Sequence, residues 1–132
     1  MKAHWLWVAL GGALGSLARF GCSGWVARAF GETFPWGTLT VNVAGSFIIG
    51  LLATVGGPEG RWLMPPAQRE FLWVGMCGGF TTFSSFSLQT LNLMQDGEWF
   101  RAGANAVGSV VLCLLAVWLG AVFGQWLNWG RS

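Results

Sequence analysis

Hydrophobic positions in this 132-residue chain run in long blocks, and the polar positions collect in short stretches between them. A helix that crosses the hydrocarbon core of a bilayer needs about 20 mainly apolar residues. Four blocks meet that length, at 5–26, 37–55, 71–93 and 102–127, so four transmembrane helices are predicted. The linkers between them are short. The first, 27–36, carries Arg28, Glu32 and Pro35, the second, 56–70, carries Pro58, Pro65 and Pro66, and the third, 95–101, carries Asp96 and Glu98. None has room for an extramembrane domain, and the expectation is a single all-α integral membrane domain over 1–132. Pro35 feeds the second helix and the central prolines stop helices on either side, which makes two hairpins joined by the central linker.

One block is interrupted. Positions 75–87 read GMCGGFTTFSSFS, where Gly78 and Gly79 loosen the backbone and Thr81, Thr82, Ser84, Ser85 and Ser87 add hydroxyls. Unpaired polar groups cost several kcal/mol each in hydrocarbon. A broken third helix that lines a polar path or an ion site is therefore predicted, with Phe83 and Phe86 three apart on one helical face.

Composition strengthens the membrane assignment: hydrophobic residues make up 54%, charged residues 9%, and mean hydropathy is +0.56. The first block is too long for a removable leader, and Arg19 lies inside it rather than before it. Twenty-one glycines fall largely within the blocks, and Gly11/Gly15, Gly12/Ser16 and Gly120/Gly124 repeat at the spacing that lets helix backbones approach closely in lipid. Trp5, Trp7, Trp25, Trp36, Trp62, Trp73, Trp99, Trp126 and Trp129 mark block ends, as indoles at headgroup depth do. Cys22, Cys77 and Cys113 lack the paired spacing of a zinc or redox site and read as small buried residues, while His4 reads as interfacial.

Net charge is +2, and no nucleic-acid partner is expected. Lys2, Arg61, Arg69 and Arg131 lie on the side shared by the two ends of the chain and the central linker, against Arg28 and Arg101 on the other. Four against two is a faint bias, compatible with insertion in both orientations.

Neutral polar residues dominate the candidate chemistry. Asn42, Ser46 and Gly50 share one helical face, as do Asn105, Ser109 and Cys113. Two readings of Asn42 stand at this point, a pore-facing amide or an interhelical hydrogen bond. Arg19 either lines an anion-attracting vestibule, or snorkels to the interface or bonds to a loop carbonyl. Phe83 and Phe86 are either pore walls or ordinary aromatic packing. No Asp or Glu lies in any of the four blocks, so a proton-coupled carboxylate exchanger is hard to build. No activated nucleophile or phosphate-binding loop is present, and the chain is not expected to be an enzyme. Hydroxyl and amide donors with aromatic edges suit a small, strongly hydrated anion.

The stretches 11–19 (GGALGSLAR), 35–45 (PWGTLTVNVAG) and 75–87 together resemble the Fluc fluoride channel family, also called CrcB, across nearly the whole chain. The resemblance implies a passive channel that exports cytoplasmic fluoride across the cell inner membrane and so protects against fluoride. It implies a multi-pass antiparallel homodimer inserted in both orientations, with two pores at the subunit interface. It also implies a structural, untransported sodium ion held by the main-chain carbonyls of Gly78 and Thr81 at the helix break. Along the fluoride path it implies Asn42, Thr82, Phe83, Ser84, Phe86 and Ser109, with Arg19 in the vestibule. Gln89 stands where some relatives have Glu, and Cys113 where some have a hydroxyl. Two other readings fit the size: a small dual-orientation drug exporter, which should need an acidic residue in its first helix, and a non-transporting membrane scaffold, which leaves Thr81 to Ser87 without a purpose.

Overall fold

The computed structural model describes residues 2–58 and 60–129, with Lys2 and Ala3 as backbone alone, so Glu59, Arg131 and the Lys2 side chain lie outside the described residues. Every regular element among them is helical. In chain order these are α1 (Lys2–Phe30), α2 (Trp36–Val55), α3 (Pro66–Arg69), a π-helical stretch (Glu70–Cys77), α4 (Gly78–Phe80), α5 (Phe83–Gln95) and α6 (Trp99–Trp129). From α3 through α4 the backbone forms one uninterrupted rod.

Local chemistry explains the ends. Gly31 adopts φ 86° past the end of α1, and its N–H closes on the Ala27 carbonyl at 2.8 Å, the left-handed cap that glycine reaches without strain. Gly97 (φ 79°) closes α5 with the paired bonds of a Schellman motif, Gly97 N–H to the Met94 carbonyl and Glu98 N–H to the Leu93 carbonyl. Within α2, the Thr40 and Thr54 hydroxyls turn back on the Trp36 and Gly50 carbonyls, which satisfies them inside their own helix.

The helices extend a few residues beyond the predicted blocks, because backbone bonding continues into the polar ends that lipid does not require. The third differs most. It starts at Pro66, a residue tolerated in the first turn, which leaves Trp73 well inside the helix instead of at its end. No pattern in the sequence announced the π-helical stretch.

Two helices, Trp36–Val55 and Trp99–Trp129, are long and apolar enough to cross a membrane, with mean hydropathy of 1.8 and 2.5. Only 22% and 17% of those apolar windows are buried inside the chain. A core helix of a water-soluble protein would be mostly covered; here the apolar surface faces outward, as lipid-facing surface does. α1 is long enough, but its glycines, tryptophans and Arg19 dilute its hydropathy.

Small residues set the packing. α2 lies along α6, and a Cβ at Gly50 or Gly120 would overlap the Val117 or Phe47 carbonyl of the facing helix. α1 lies along the rod in the same way: a Cβ at Gly11 or Gly15 would overlap the Phe71 or Met76 carbonyl, and one at Gly75 would come within 2.8 Å of the Gly11 Cα. Gly12 and Gly108 have open space instead. α1 does not touch α5. Beyond Arg19 it packs on the start of α2 instead, where a Cβ at Gly37 would overlap the Ser23 carbonyl and Val26 is buried, while Cys22 is exposed; of the three cysteines only Cys77 is buried. Trp118, exposed in the middle of α6, is the other indole away from a helix end.

Candidate functional site

Helical bonding stops at Phe80 and resumes at Phe83, with Thr81 (φ −88°, ψ 157°) and Thr82 (φ −151°, ψ 116°) extended between. Four side chains hold this interruption. The Asn42 amide faces the backbone of Thr82: Thr82 N–H donates to Oδ1 at 2.7 Å, and Nδ2 donates to the Thr82 carbonyl at 3.0 Å. Only one orientation of the amide satisfies both bonds. Arg19 Nε donates to the Gly79 carbonyl at 2.9 Å. The Thr81 hydroxyl and N–H both donate to the Cys77 carbonyl at 3.0 Å. Thr82 Oγ1 accepts from Ser85 N–H at 3.1 Å and caps α5.

A cavity of about 420 Å³ opens beside the break, lined by Asn42, Gly78, Thr81, Thr82, Phe83, Phe86 and Ser109 among others. Seven of the residues predicted for the site thus meet on one surface. Ser84 and Arg19 do not line it. Ser84 sits exposed on α5 with its hydroxyl 3.3 Å from Thr82 Oγ1, and Arg19 stands behind the break. The Phe83 and Phe86 rings are 5.3 Å apart with their planes at 49°. Among the described residues, no Asp, Glu, Lys or Arg borders this cavity.

α5 and α6 are joined by a relay of neutral groups. Ser109 Oγ donates to Asn105 Oδ1 (3.2 Å), Asn105 Nδ2 donates to Thr90 Oγ1 (2.9 Å), and the Thr90 hydroxyl donates to the Phe86 carbonyl (2.8 Å). The relay fixes the Phe86 backbone relative to Ser109. Asn105, 2% exposed, is the one fully covered polar anchor among these groups.

Sequence reasoning missed Trp73. Its side chain lines the cavity, and its indole N–H is buried without a hydrogen-bond partner among the described residues. The signal was available in the spacing, since Trp73, Cys77 and Thr81 share one face at intervals of four. The Gly45 position takes the Thr81 methyl, which a Cβ there would displace. His4 is paired with Glu70 at the start of the π-helical stretch, and Arg69 lies 5.8 Å over the Trp73 ring. A second cavity, about 970 Å³, opens toward the 27–36 linker, bordered by Arg28, Arg101 and Gln89.

The family model described as CrcB-like protein, Camphor Resistance (CrcB), matches residues 6–121. The chain belongs to the CrcB family. CrcB relatives are similar over almost their whole length. A fluoride-specific ion channel FluC of Opitutus terrae is 64% identical over 124 residues, 94% of each chain. The protein of the same name in Methylocella silvestris is 56% identical over 94% of this chain and 95% of its own. That of Rhodospirillum rubrum is 56% identical over 96% and 98%. As a CrcB protein with outward-facing apolar helices, the chain is a membrane protein, and it is not an enzyme.

Proposed function

We propose that this chain is the subunit of a fluoride-specific channel that lets cytoplasmic fluoride leave passively across the cell inner membrane. The observation that carries the reading is the cavity at the helix break, bordered by an amide, hydroxyls and two phenyl rings and by no charged side chain. Fluoride holds its water tightly, so a narrow route must replace that water with donors at each step. The second Nδ2 hydrogen of Asn42 and the Thr82 hydroxyl supply donors, the Ser109 oxygen adds a neutral polar wall, and the Phe83 and Phe86 rims carry the positive edge of the aromatic quadrupole. With no carboxylate on the cavity, proton coupling has no group to work with, and no ring of acidic side chains offers cations a path. The same absence disfavours the drug-exporter reading.

In this reading all four helical passes cross the bilayer, and the chain works as an antiparallel homodimer inserted in both orientations. Phe83 accords with it: 76% exposed beside the cavity, its ring stands where a second copy could close the path. A second copy would wall the path without burying an uncompensated charge.

The break also fits a structural sodium ion. Thr82 N–H would close on the Gly78 carbonyl in a continuous helix, and Ser85 N–H on that of Thr81. They go to Asn42 and to Thr82 Oγ1 instead. The Gly78 and Thr81 carbonyls are thereby released, both residues border the cavity, and carbonyl oxygen is the ligand a hard cation takes. A cation held there would supply positive potential next to the anion path. The chain's own part is to hold those two oxygens still and to keep the neighbouring backbone groups occupied.

The test is fluoride efflux from liposomes measured with a fluoride electrode. Phe83→Ile and Phe86→Ile, each checked for an intact dimer by size-exclusion chromatography, are expected to lose most of the flux. Wild-type rates in both would remove the two rings from the path.

A further inference from the structure

Asn42 lines the cavity, yet its amide is already engaged. Oδ1 is taken by Thr82 N–H, and one of the two Nδ2 hydrogens by the Thr82 carbonyl, at 2.7 and 3.0 Å. A side chain whose only task was to meet an anion would leave its donors to the cavity. This one imitates a strand partner and holds Thr82 extended, out of helical geometry.

Each carbonyl along the break has a distinct fate. That of Cys77 receives two bonds from Thr81, that of Gly79 receives Arg19 Nε, and that of Thr82 receives Asn42 Nδ2. Those of Gly78, Phe80 and Thr81 are left by these bonds, and of these three residues Gly78 and Thr81 border the cavity while Phe80 does not. Two residues release the pair. Asn42 diverts the N–H that would close on Gly78, and the Thr82 hydroxyl diverts the N–H that would close on Thr81.

We infer that Asn42 and Thr82 are positioning residues of a cation site, which create its two carbonyl ligands by drawing away the N–H groups that would otherwise neutralise them. The inference rests on the sodium reading above and adds that the site is made by side chains, one on α2 and one at the head of α5, instead of by the two glycines alone. The glycines permit the break. Asn42 and Thr82 impose it. With Asn42 changed to leucine, Thr82 N–H loses its acceptor, the Gly78 carbonyl is the one a continuous helix offers it, and the broken turn heals toward continuous helix. With Thr82 changed to valine, the shape is kept and Ser85 N–H turns to the Thr81 carbonyl. Either change removes one ligand without touching a ligand residue's own side chain.

The experiment reads the sodium concentration for half-maximal thermal protection of the purified full chain, starting from sodium-free N-methylglucamine buffer, alongside the sodium midpoint of fluoride efflux from liposomes. Wild type and Thr82→Ser, which keeps the hydroxyl, are expected to share one midpoint. Thr82→Val and Asn42→Leu are expected to raise it about 10–100-fold, the usual cost of removing a group that orients a metal ligand. Thr82→Val is isosteric, so it carries the test if Asn42→Leu does not fold. A wild-type sodium midpoint in Thr82→Val overturns the inference whatever the flux, because a pore hydroxyl alone would lower flux and leave the midpoint in place. Wild type that gains no protection from sodium also overturns it, and efflux then judges the channel reading separately. Wild type that releases no fluoride but shows the expected midpoint shifts sinks the channel reading and upholds this one.

Discussion

Gly15→Ala and Gly12→Ala, three residues apart in one motif, should behave in opposite ways. At Gly15 an added Cβ would overlap the Met76 carbonyl oxygen and lie 3.0 Å from both its carbon and the Met76 Cα. Carbon atoms pack at about 3.5–4.0 Å, so α1 must retreat from the rod by roughly 0.5–1 Å. Overpacking of that kind costs about 1–3 kcal/mol. The retreat also stretches the 2.9 Å bond from Arg19 Nε to the Gly79 carbonyl to the edge of hydrogen-bonding range, and a bond from a charged donor contributes about 1.5–3 kcal/mol. Together the loss is about 2.5–6 kcal/mol, with the geometry of the break disturbed as well. A Cβ at Gly12 meets nothing within 4 Å, and alanine is better than glycine in a helix interior by about 1 kcal/mol. Thermal unfolding of each variant in one lipid mixture, paired with fluoride efflux, reads both effects. Gly15→Ala should unfold much earlier and conduct poorly, and Gly12→Ala should match or exceed wild type. Equal midpoints for the two would refute the idea that α1 is seated on the rod through Gly15.

Two smaller predictions follow from other parts of the fold. Gly97→Ala forces a left-handed φ of 79° on a residue with a Cβ, and should lower stability by about 1–2 kcal/mol, read as a drop in the thermal midpoint with fluoride flux unchanged. Asn105→Leu cuts the relay from Ser109 to Thr90. It should cost about 1 kcal/mol, typical of interhelical hydrogen bonds in bilayers, and slow efflux because the Phe86 backbone is no longer tied to α6; thermal unfolding and electrode traces check the two parts separately.

Much of the architecture was legible because lipid imposes simple rules. Block length gave the positions of α2 and α6, and the four-residue glycine spacing gave the face by which α1 meets the rod. The interruption at Thr81–Thr82 was legible from two glycines followed by hydroxyls, which neither continue a helix well nor tolerate hydrocarbon. Ser84 was placed on the path by its presence in the run, although helical periodicity sets it about 100° from Phe83 and thus off the face that Phe83 shares with Phe86. A carbonyl bond for Arg19 and an interhelical hydrogen bond for Asn42 both stood among the readings, but their particular partners were beyond reach. Each is a single bond system to backbone 60 or 40 residues away, and backbone acceptors have no side-chain signature to read. The π-helical stretch was hidden because EFLWVGMC reads as ordinary apolar helix and carries no local signal of a wider turn.

The division of the break's polar groups bears on what can fill the cavity beside it. An unpaired backbone carbonyl or N–H in hydrocarbon costs several kcal/mol, and Cys77, Gly79 and Thr82 have had theirs covered by side chains from α1, α2 and the break itself. Covering these three while leaving open the two that border the cavity would be an odd economy if the cavity were filled by acyl chains, since Asn42 could as easily have been a leucine and the helix continuous, with every group satisfied internally. The arrangement instead spends an asparagine, a threonine cap and a part-buried guanidinium bond to keep a turn open in the middle of an apolar chain. Such an outlay is stable only where water, an ion or a polar partner meets what has been exposed. A scaffold that merely packs in the membrane has no use for it, whereas a conduit does. The two open carbonyls and the donors around them therefore argue for a wet, occupied cavity before any relative's name is considered.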